Sequence, residues 1–126
     1  MPVNVARRAR HIISENGRVL RAVDAAHKND LETFGTLMNE SHASLRDDYA
    51  VSCAELDAMV EIARTQPGCL GARLTGAGFG GCTVNLVRDD AVDAFVANVA
   101  RGYDARMHCL PQIYICRAID GASVVF

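Results

Sequence analysis

Four glycines fall within six residues, at positions 76, 78, 80 and 81, between two segments of strand-like composition. Glycine has no Cβ, so such a connection can adopt positive φ angles and bring several backbone N–H groups close to one ligand. That property suits a phosphate or a phosphorylated substrate, and it equally suits a tight structural connection between strands. The glycine-rich stretch alone therefore leaves a functional and a structural interpretation open.

Two common phosphate-binding motifs do not fit this stretch. A dinucleotide fingerprint places its glycines at the start of a helix in a βαβ unit, whereas here a strand-like segment follows the glycines. A Walker-type loop ends in Gly-Lys-Ser/Thr, whereas residues 80–83 read Gly-Gly-Cys-Thr and contain no lysine. Any phosphate contact must therefore come from backbone N–H groups, with the Thr75 hydroxyl as an additional candidate.

The composition is that of one globular domain. The chain has 126 residues, half of them hydrophobic, and a net charge of −2. A protein built to hold nucleic acid usually has a clear basic excess, so we expect no nucleic-acid partner. We interpret the basic excess within residues 1–28 as a solvated helix face.

The cysteine pattern and the hydropathy indicate in which cellular compartment the protein is expected. The five cysteines form an odd set without C-x-x-C spacing, and the N-terminus has no signal-peptide pattern. We therefore expect reduced thiols in a cytoplasmic protein. No apolar run approaches the roughly 20 residues that span a bilayer, so we expect no membrane partner.

Helical spacing of apolar residues predicts four helices. The first runs from Val5 to about His27, with Gly17 as a candidate kink or close contact. The second starts at an N-cap formed by residues 29–30 and ends at residues 46–49.

The third and fourth helices are predicted from their boundaries. A capping box of Ser52 and Glu55 opens the third helix, and residues 66–68 stop it. Asp89 or Asp90 is expected to cap the fourth, with Gly102 as its end.

Strand patterns surround the glycine-rich stretch. Residues 71–75 and 82–87 are predicted strands, and residues 112–119 alternate most clearly between apolar and polar. Residues 120–121 are a hairpin signal, after which residues 123–125 return as a short edge strand. This order predicts a single α+β domain over residues 1–126, with a small, mainly antiparallel sheet packed against helices on one face.

Two clusters of reactive side chains invite a chemical role. Ser41 and His42, with the acidic residues that follow, could suggest a hydrolase, but neighbours on a helix point in different directions. We favour a structural histidine beside the core. Residues 108–109 with Cys116 could contact a metal, but no second spaced pair completes a site, so we assign no metal.

A run of charged residues precedes the third helix. Arg46, Asp47, Asp48 and Tyr49 are candidate site-supporting residues, since a carboxylate pair can ligate Mg²⁺ or act in acid–base chemistry. The same carboxylates can accept hydrogen bonds at a helix N-terminus or pair with arginine. On residue types alone we favour the structural role.

Residues 71–82 (Gly-Ala-Arg-Leu-Thr-Gly-Ala-Gly-Phe-Gly-Gly-Cys) resemble the third motif of the GHMP kinases, which include galacto-, homoserine, mevalonate and phosphomevalonate kinases. Residues 39–57, with residues 7–16 and 34–39, are similar more narrowly to galactokinases. The resemblance covers about residues 5–125. Ala77 stands where galactokinases usually have glycine and Ala54 where proline is common, and neither departure changes the family.

The resemblance implies the GHMP-kinase C-terminal architecture, which is ferredoxin-like, and a composite active site. The upstream sugar motif, Ser-rich ATP loop and catalytic Asp/Arg pair of the family do not occur in these residues. We therefore expect no catalytic residue in this chain and no kinase activity from it alone. The phosphate- and substrate-adjacent role is carried over only to one loop, which consists of Thr75, Gly76, Ala77, Gly78, Phe79, Gly80, Gly81 and Cys82.

The implied partners are an N-terminal kinase domain of the same protein, galactose and ATP with Mg²⁺, and none of the ligands is expected to bind this chain alone. Three functions of the whole protein remain open. They are phosphorylation of galactose at C1, phosphorylation of another pyranose such as N-acetylgalactosamine, and a non-catalytic sensor derived from such a kinase. Without the N-terminal domain, apolar surface near the glycine-rich loop and the first helix is expected to promote self-association.

Overall fold

The computed structural model describes residues 2–75 and 81–117 and confirms an α+β chain. Its elements, in chain order, are α1 (Val3–His27), α2 (Leu31–Asp47), α3 (Ala54–Arg64), β1 (Cys69–Thr75), β2 (Cys82–Val87), a 3₁₀ turn (Asp89–Ala91) and α4 (Val92–Met107). The two strands pair antiparallel, and helices α2 and α3 pack against them. The predicted order of helices and of these two strands is confirmed.

The first helix turns its apolar stripe away from the rest of the described chain. The five large apolar residues at the centre of this stripe are each more than half exposed, namely Ile12, Ile13, Val19, Leu20 and Val23. The opposite face of α1 lies on α2 and includes the buried His11. The helix passes through Gly17 without interruption, and a Cβ there would meet nothing within 4 Å, so the predicted close contact is wrong.

The second helix begins as predicted. The Asp30 carboxylate accepts a hydrogen bond from the Thr33 backbone N–H at 3.2 Å, which satisfies one of the free donors of the first turn. Glu32 lies in that same turn, where the helix dipole favours negative charge. The helix ends at Asp47, within the predicted range.

The third helix is not opened by the predicted capping box. Its N-cap is Cys53, so Ser52 lies one position too early and Glu55 lies at the second helical position rather than the third. The Ser52 hydroxyl instead donates to Asp57 Oδ1 at 2.6 Å. The capping interpretation was wrong because the sequence pattern fits a helix that starts one residue earlier.

The fourth helix also departs from its predicted ends. Neither aspartate caps it, because both lie in the 3₁₀ turn that precedes it. Asp89 forms an ion pair with Arg117 at 3.0 Å instead. The helix continues past Gly102 because this glycine faces Ile62 of α3, where a Cβ would lie only 3.1 Å from Cγ2. It ends at Met107, and the C-cap residue His108 adopts a left-handed conformation with φ 56°.

The predicted strand at residues 112–119 is wrong over its described part. Residues 110–117 have no regular secondary structure, and residues 118–119 lie outside the described chain, as do the predicted hairpin signal and the strand at 123–125. Ile113 packs against the core, whereas Tyr114 and Ile115 are exposed. Alternation alone was insufficient because a strand also needs a neighbouring edge with which to pair.

Two apolar clusters join the helices to the sheet. The first lies between α3, α4 and β1 and consists of Val60, Ala63, Ala72, Phe95 and Val99. The second lies between α2, α3 and the end of β1 and consists of Leu45, Val51, Leu56 and Leu74. Ala72 and Leu74 are both fully buried, so one face of β1 supplies both clusters.

Helix α2 and strand β1 touch through their backbones at two glycines. A Cβ on Gly35 would lie 2.1 Å from the Leu70 carbonyl oxygen, and one on Gly71 would lie 2.3 Å from the Gly35 carbonyl oxygen. Only residues without a Cβ permit this separation. The contact fixes the distance between the helix and the strand that leads to the glycine-rich stretch.

All five cysteines belong to the described residues, and each is a free thiol. Burial raises the pKa of the Cys69 thiol above its ordinary value.

Within residues 2–75 and 81–117, no helix is both long enough and apolar enough to cross a bilayer.

Candidate functional site

The end of the β1–β2 hairpin carries the glycine-rich motif. Thr75 and Cys82 form the last pair of the ladder, and both are exposed. Gly81 is exposed and has a φ of 108°, which side chains rarely adopt. The other predicted loop residues, Gly76, Ala77, Gly78, Phe79 and Gly80, lie outside the described residues.

Two side chains of α2 contact the backbone of β1 just before this exposed end. The Ala72 N–H donates to Asn39 Oδ1 at 3.0 Å, and the Leu74 N–H donates to His42 Nδ1 at 3.1 Å. The predicted structural role of His42 is therefore confirmed: its side chain is only 2% exposed and lies beside the core.

The hydrogen bonds of His42 determine its tautomer. A backbone N–H can only donate, so Nδ1 accepts from Leu74 and the ring proton is on Nε2, which donates to Asp57 Oδ1 at 3.0 Å. Burial lowers the pKa of His42 below its ordinary value, although Asp57 opposes this shift. A protonated ring would have no acceptor for the Leu74 N–H, so the geometry and the lowered pKa agree.

These polar residues do not form a hydrolytic triad. Ser41 points towards α1, where its hydroxyl donates to Glu15 Oε2 at 2.5 Å, while His42 points towards α3. Ser52 contacts Asp57 rather than the histidine ring. A serine nucleophile needs a base within hydrogen-bond reach, and neither serine has this contact with His42.

The charged run at the end of α2 is held by arginines. Arg46 forms a two-pronged ion pair with Asp47, at 2.8 and 2.9 Å, and holds the pKa of that carboxyl below its ordinary value. Asp48 lies 3.4 Å from Arg10 of α1, and Arg7 donates to the Asp47 carbonyl oxygen. Each carboxylate thus pairs with an arginine, which agrees with the structural interpretation of this run.

Tyr49 connects this run to the hairpin. Its ring packs on the second cluster, which contains Leu74, and stands 4.8 Å from the His11 ring between centroids. Of the run at residues 46–49, Tyr49 alone is thus seen to share an apolar cluster with the residue before Thr75 in the described part of the chain. The side chains of Arg46 and Asp47 pair with each other, and that of Asp48 pairs with α1.

The interface between α1 and α2 is polar. Glu15 accepts hydrogen bonds from Ser41 and from Arg18, and these lower its carboxyl pKa although burial raises it. His11 Nδ1 lies 2.8 Å from the Ser44 hydroxyl, and burial lowers the pKa of this histidine although Glu15 opposes the shift. An open groove of about 430 Å³ runs along this interface, and no described residue of the glycine-rich loop lines it.

No three His, Cys, Asp or Glu side chains within residues 2–75 and 81–117 lie close enough together to hold a metal ion. His108 is the C-cap residue of α4 and Cys109 is exposed.

The sequence patterns did not show that Asn39 contacts β1 directly, or that Asp57 contacts it through His42. Asn39 and His42 are three residues apart, a spacing that places both on one helix face, and this signal was available. That the face meets the edge of β1 follows only from the tertiary contact at Gly35 and Gly71.

The sequence profile of a known family, described as "GHMP kinases C terminal", matches residues 22–105. This range is two thirds of the chain. Among curated proteins, the chain is 50% identical over 119 residues to a galactokinase of Clostridium acetobutylicum, covering 94% of the chain and 31% of that protein. It is 50% identical over 125 residues to a galactokinase of Roseiflexus sp. strain RS-1, covering 99% and 32%. The chain thus spans about a third of the length of these relatives.

Two solved structures share the fold. Lactococcus lactis galactokinase complexed with galactose matches with a TM-score of 0.83 and 46% identity, over 86% of this chain and 28% of that one. The mevalonate kinase of L. major in complex with R-mevalonate matches with a TM-score of 0.60 and 38% identity, over 71% of this chain and 26% of that one. With the profile match, these likenesses identify the fold as well as the sequence family. The chain belongs to the family of GHMP kinase C-terminal domains.

Proposed function

We propose that this chain is the C-terminal domain of a galactokinase, which transfers the γ-phosphoryl group of ATP to the C1 hydroxyl of galactose. The observation that carries the proposal is its similarity to galactokinases, at 50% identity over 94–99% of the chain. The likeness to the galactokinase of L. lactis, whose structure contains galactose, supports the same choice over other GHMP kinases.

The proposed part of this chain in the reaction is to present the glycine-rich motif. Phosphoryl transfer relies mostly on positioning and on electrostatic stabilisation of the transferring group. Backbone N–H groups of the loop from Thr75 to Cys82 can stabilise developing charge when a rigid support holds them in place. The exposed last pair of the hairpin supports this role. We assign the binding of ATP, Mg²⁺ and most of the sugar to the N-terminal domain.

The test is an assay of the full-length protein that carries this chain. We expect ATP-dependent formation of galactose 1-phosphate, detected as a phosphorus resonance and by coupled ADP release. Faster turnover of N-acetylgalactosamine would indicate a sister sugar kinase instead. Binding of galactose and ATP by calorimetry without any product would indicate a sensor.

The isolated chain is expected to have no kinase activity under the same conditions. The sequence contains neither the Ser-rich ATP loop nor the catalytic pair that the family places upstream. The full-length protein, assayed in parallel, is the positive control. Robust phosphorylation of galactose by the purified 126-residue chain would overturn the proposed division of labour.

The apolar stripe of α1 supports an interdomain contact. Its residues Ile13 and Leu20 are 75% and 65% exposed, and a contiguous apolar surface of this kind usually marks an interaction site. We propose that the N-terminal domain covers this stripe in the full-length protein.

The same stripe should make the isolated chain self-associate. We expect light scattering to show a mass above 13.6 kDa that rises with protein concentration. The double variant Ile13→Lys/Leu20→Lys should shift the chain to monomer, because it places two charges in the stripe. Ala97→Lys, at an exposed position on α4, adds the same kind of charge elsewhere and should not. A monomeric wild-type chain at high concentration would contradict this prediction.

A further inference from the structure

The edge of β1 that faces away from β2 meets side chains of α2. In an antiparallel ladder, alternate residues direct their N–H groups to opposite edges. Ala72 and Leu74 are two residues apart, and both direct their N–H groups to α2 rather than to β2. Asn39 and His42 accept these two bonds and so occupy the positions of acceptors on a neighbouring strand.

The geometry of this contact depends on the glycine pair. Gly35 and Gly71 let the two backbones approach until any Cβ would collide with a carbonyl oxygen. Asn39 and His42 lie one and two turns further along α2 on the same side. Their short, planar side chains therefore reach the edge of the strand. Longer side chains at these positions would push the strand away from α2.

His42 is anchored at its far side as well. Its Nε2 donates to Asp57, which also receives the Ser52 hydroxyl, so the ring cannot turn without breaking a contact to α3. The acceptor for Leu74 is thus fixed by two helices. Leu74 directly precedes Thr75, the last described residue before the glycine-rich motif.

We propose that Asn39 and His42 are positioning residues. They supply the hydrogen-bond acceptors that a neighbouring strand would supply at the edge of β1 opposite β2, and they thereby hold Thr75 in place for the reaction. Their effect on catalysis rests on the proposed function, whereas their effect on the strand does not. The inference concerns residues that touch no substrate and act only through the backbone of β1.

Two variants of His42 separate its two hydrogen bonds. In His42→Asn, the amide can place an oxygen near the position of Nδ1 and retain the bond from Leu74 while the bond to Asp57 is lost. In His42→Gln, the longer side chain reaches the position of Nε2 and retains the bond to Asp57 while the bond from Leu74 is lost. Asn39→Asp and Asn39→Leu form the corresponding pair at the Ala72 N–H, the first retaining an acceptor.

The first measurement is amide hydrogen exchange of the 126-residue chain by NMR. The quantity compared is the exchange rate of the Leu74 amide divided by that of the Val60 amide, which reports global unfolding. In His42→Gln we expect this ratio to rise about tenfold or more above its wild-type value. In His42→Asn we expect the ratio to stay within about threefold of its wild-type value. Equal ratios in wild type and His42→Gln would overturn the proposed strand contact. A purely structural role would accelerate both amides together and would also overturn it.

The second measurement is steady-state kinetics of the full-length protein. We expect His42→Gln and Asn39→Leu to lower kcat by about tenfold or more, with KM for galactose little changed, because a small displacement of a positioned group is costly. His42→Asn and Asn39→Asp should recover most of kcat. Unchanged kcat in the first pair would overturn the positioning role. Absence of kinase activity in wild type would overturn the proposed function and the catalytic consequence, while hydrogen exchange would still decide the strand contact.

Discussion

Gly35→Ala is expected to destabilise the chain by about 3 kcal/mol or more. The new methyl group would lie 2.1 Å from the carbonyl oxygen of Leu70 and 2.5 Å from its carbonyl carbon. Both atoms belong to the backbone of β1, so no flexible side chain can move aside. Relief requires α2 and the strand to separate, which also stretches the bonds from Ala72 and Leu74 to α2. Denaturant unfolding followed by circular dichroism measures the loss as a lower transition midpoint.

Gly17→Ala is the matched control for this substitution. It makes the same chemical change inside a helix, but no heavy atom of the described chain lies within 4 Å of the added methyl group. Alanine is the better helix former, so this variant should gain about 0.5–1 kcal/mol. A midpoint for Gly35→Ala equal to that of wild type would show that the close contact is absent in solution.

Leu74→Ala has the second largest expected effect, a loss of about 3–5 kcal/mol. Leu74 is fully buried and packs with Leu45, Val51 and Leu56, so truncation removes apolar contacts with α2, α3 and the segment that joins them, and leaves a cavity. The same unfolding experiment measures the loss. Because Thr75 is the next residue, the change also loosens the end of the hairpin.

Leu110→Ala is the control for this truncation. Leu110 is 71% exposed, so the same change of side chain should alter the free energy of unfolding by no more than about 0.5 kcal/mol. A loss below about 1 kcal/mol for Leu74→Ala would contradict the packing of the second cluster.

The sequence predicted those elements whose signals are local. The Asp30 cap and the strands on both sides of the glycines depend on neighbouring residues, and the structure confirms them. Gly102 was misread because glycine often ends a helix, whereas here it makes room for Ile62 from a different helix. The segment at 112–117 was misread because its apolar alternation places one partly buried residue, Ile113, against the core without a paired strand. Both errors come from contacts distant in sequence.

The candidate site was predicted to a similar extent. The glycine pattern and its resemblance to the GHMP kinases located the loop, and the structure adds that its ends, Thr75 and Cys82, are paired and exposed. The sequence indicated that Ser41 and His42 diverge, but their partners were not predictable, because Glu15 and Asp57 lie on different helices. Side-chain partners across a tertiary interface have no periodic signature.

Helix α1 is inverted relative to an ordinary surface helix, since the polar residues His11 and Glu15 contact α2 whereas its apolar stripe lies outward. Hydrogen bonds and ion pairs at such a partly solvated contact contribute modest net free energy, whereas apolar burial contributes most of what orders a helix. The order of α1 and the occupancy of its outer side are therefore thermodynamically linked. Any partner that covers Ile13 and Leu20 strengthens the inner contact with α2 by the same free energy with which an ordered α1 strengthens the partner's binding.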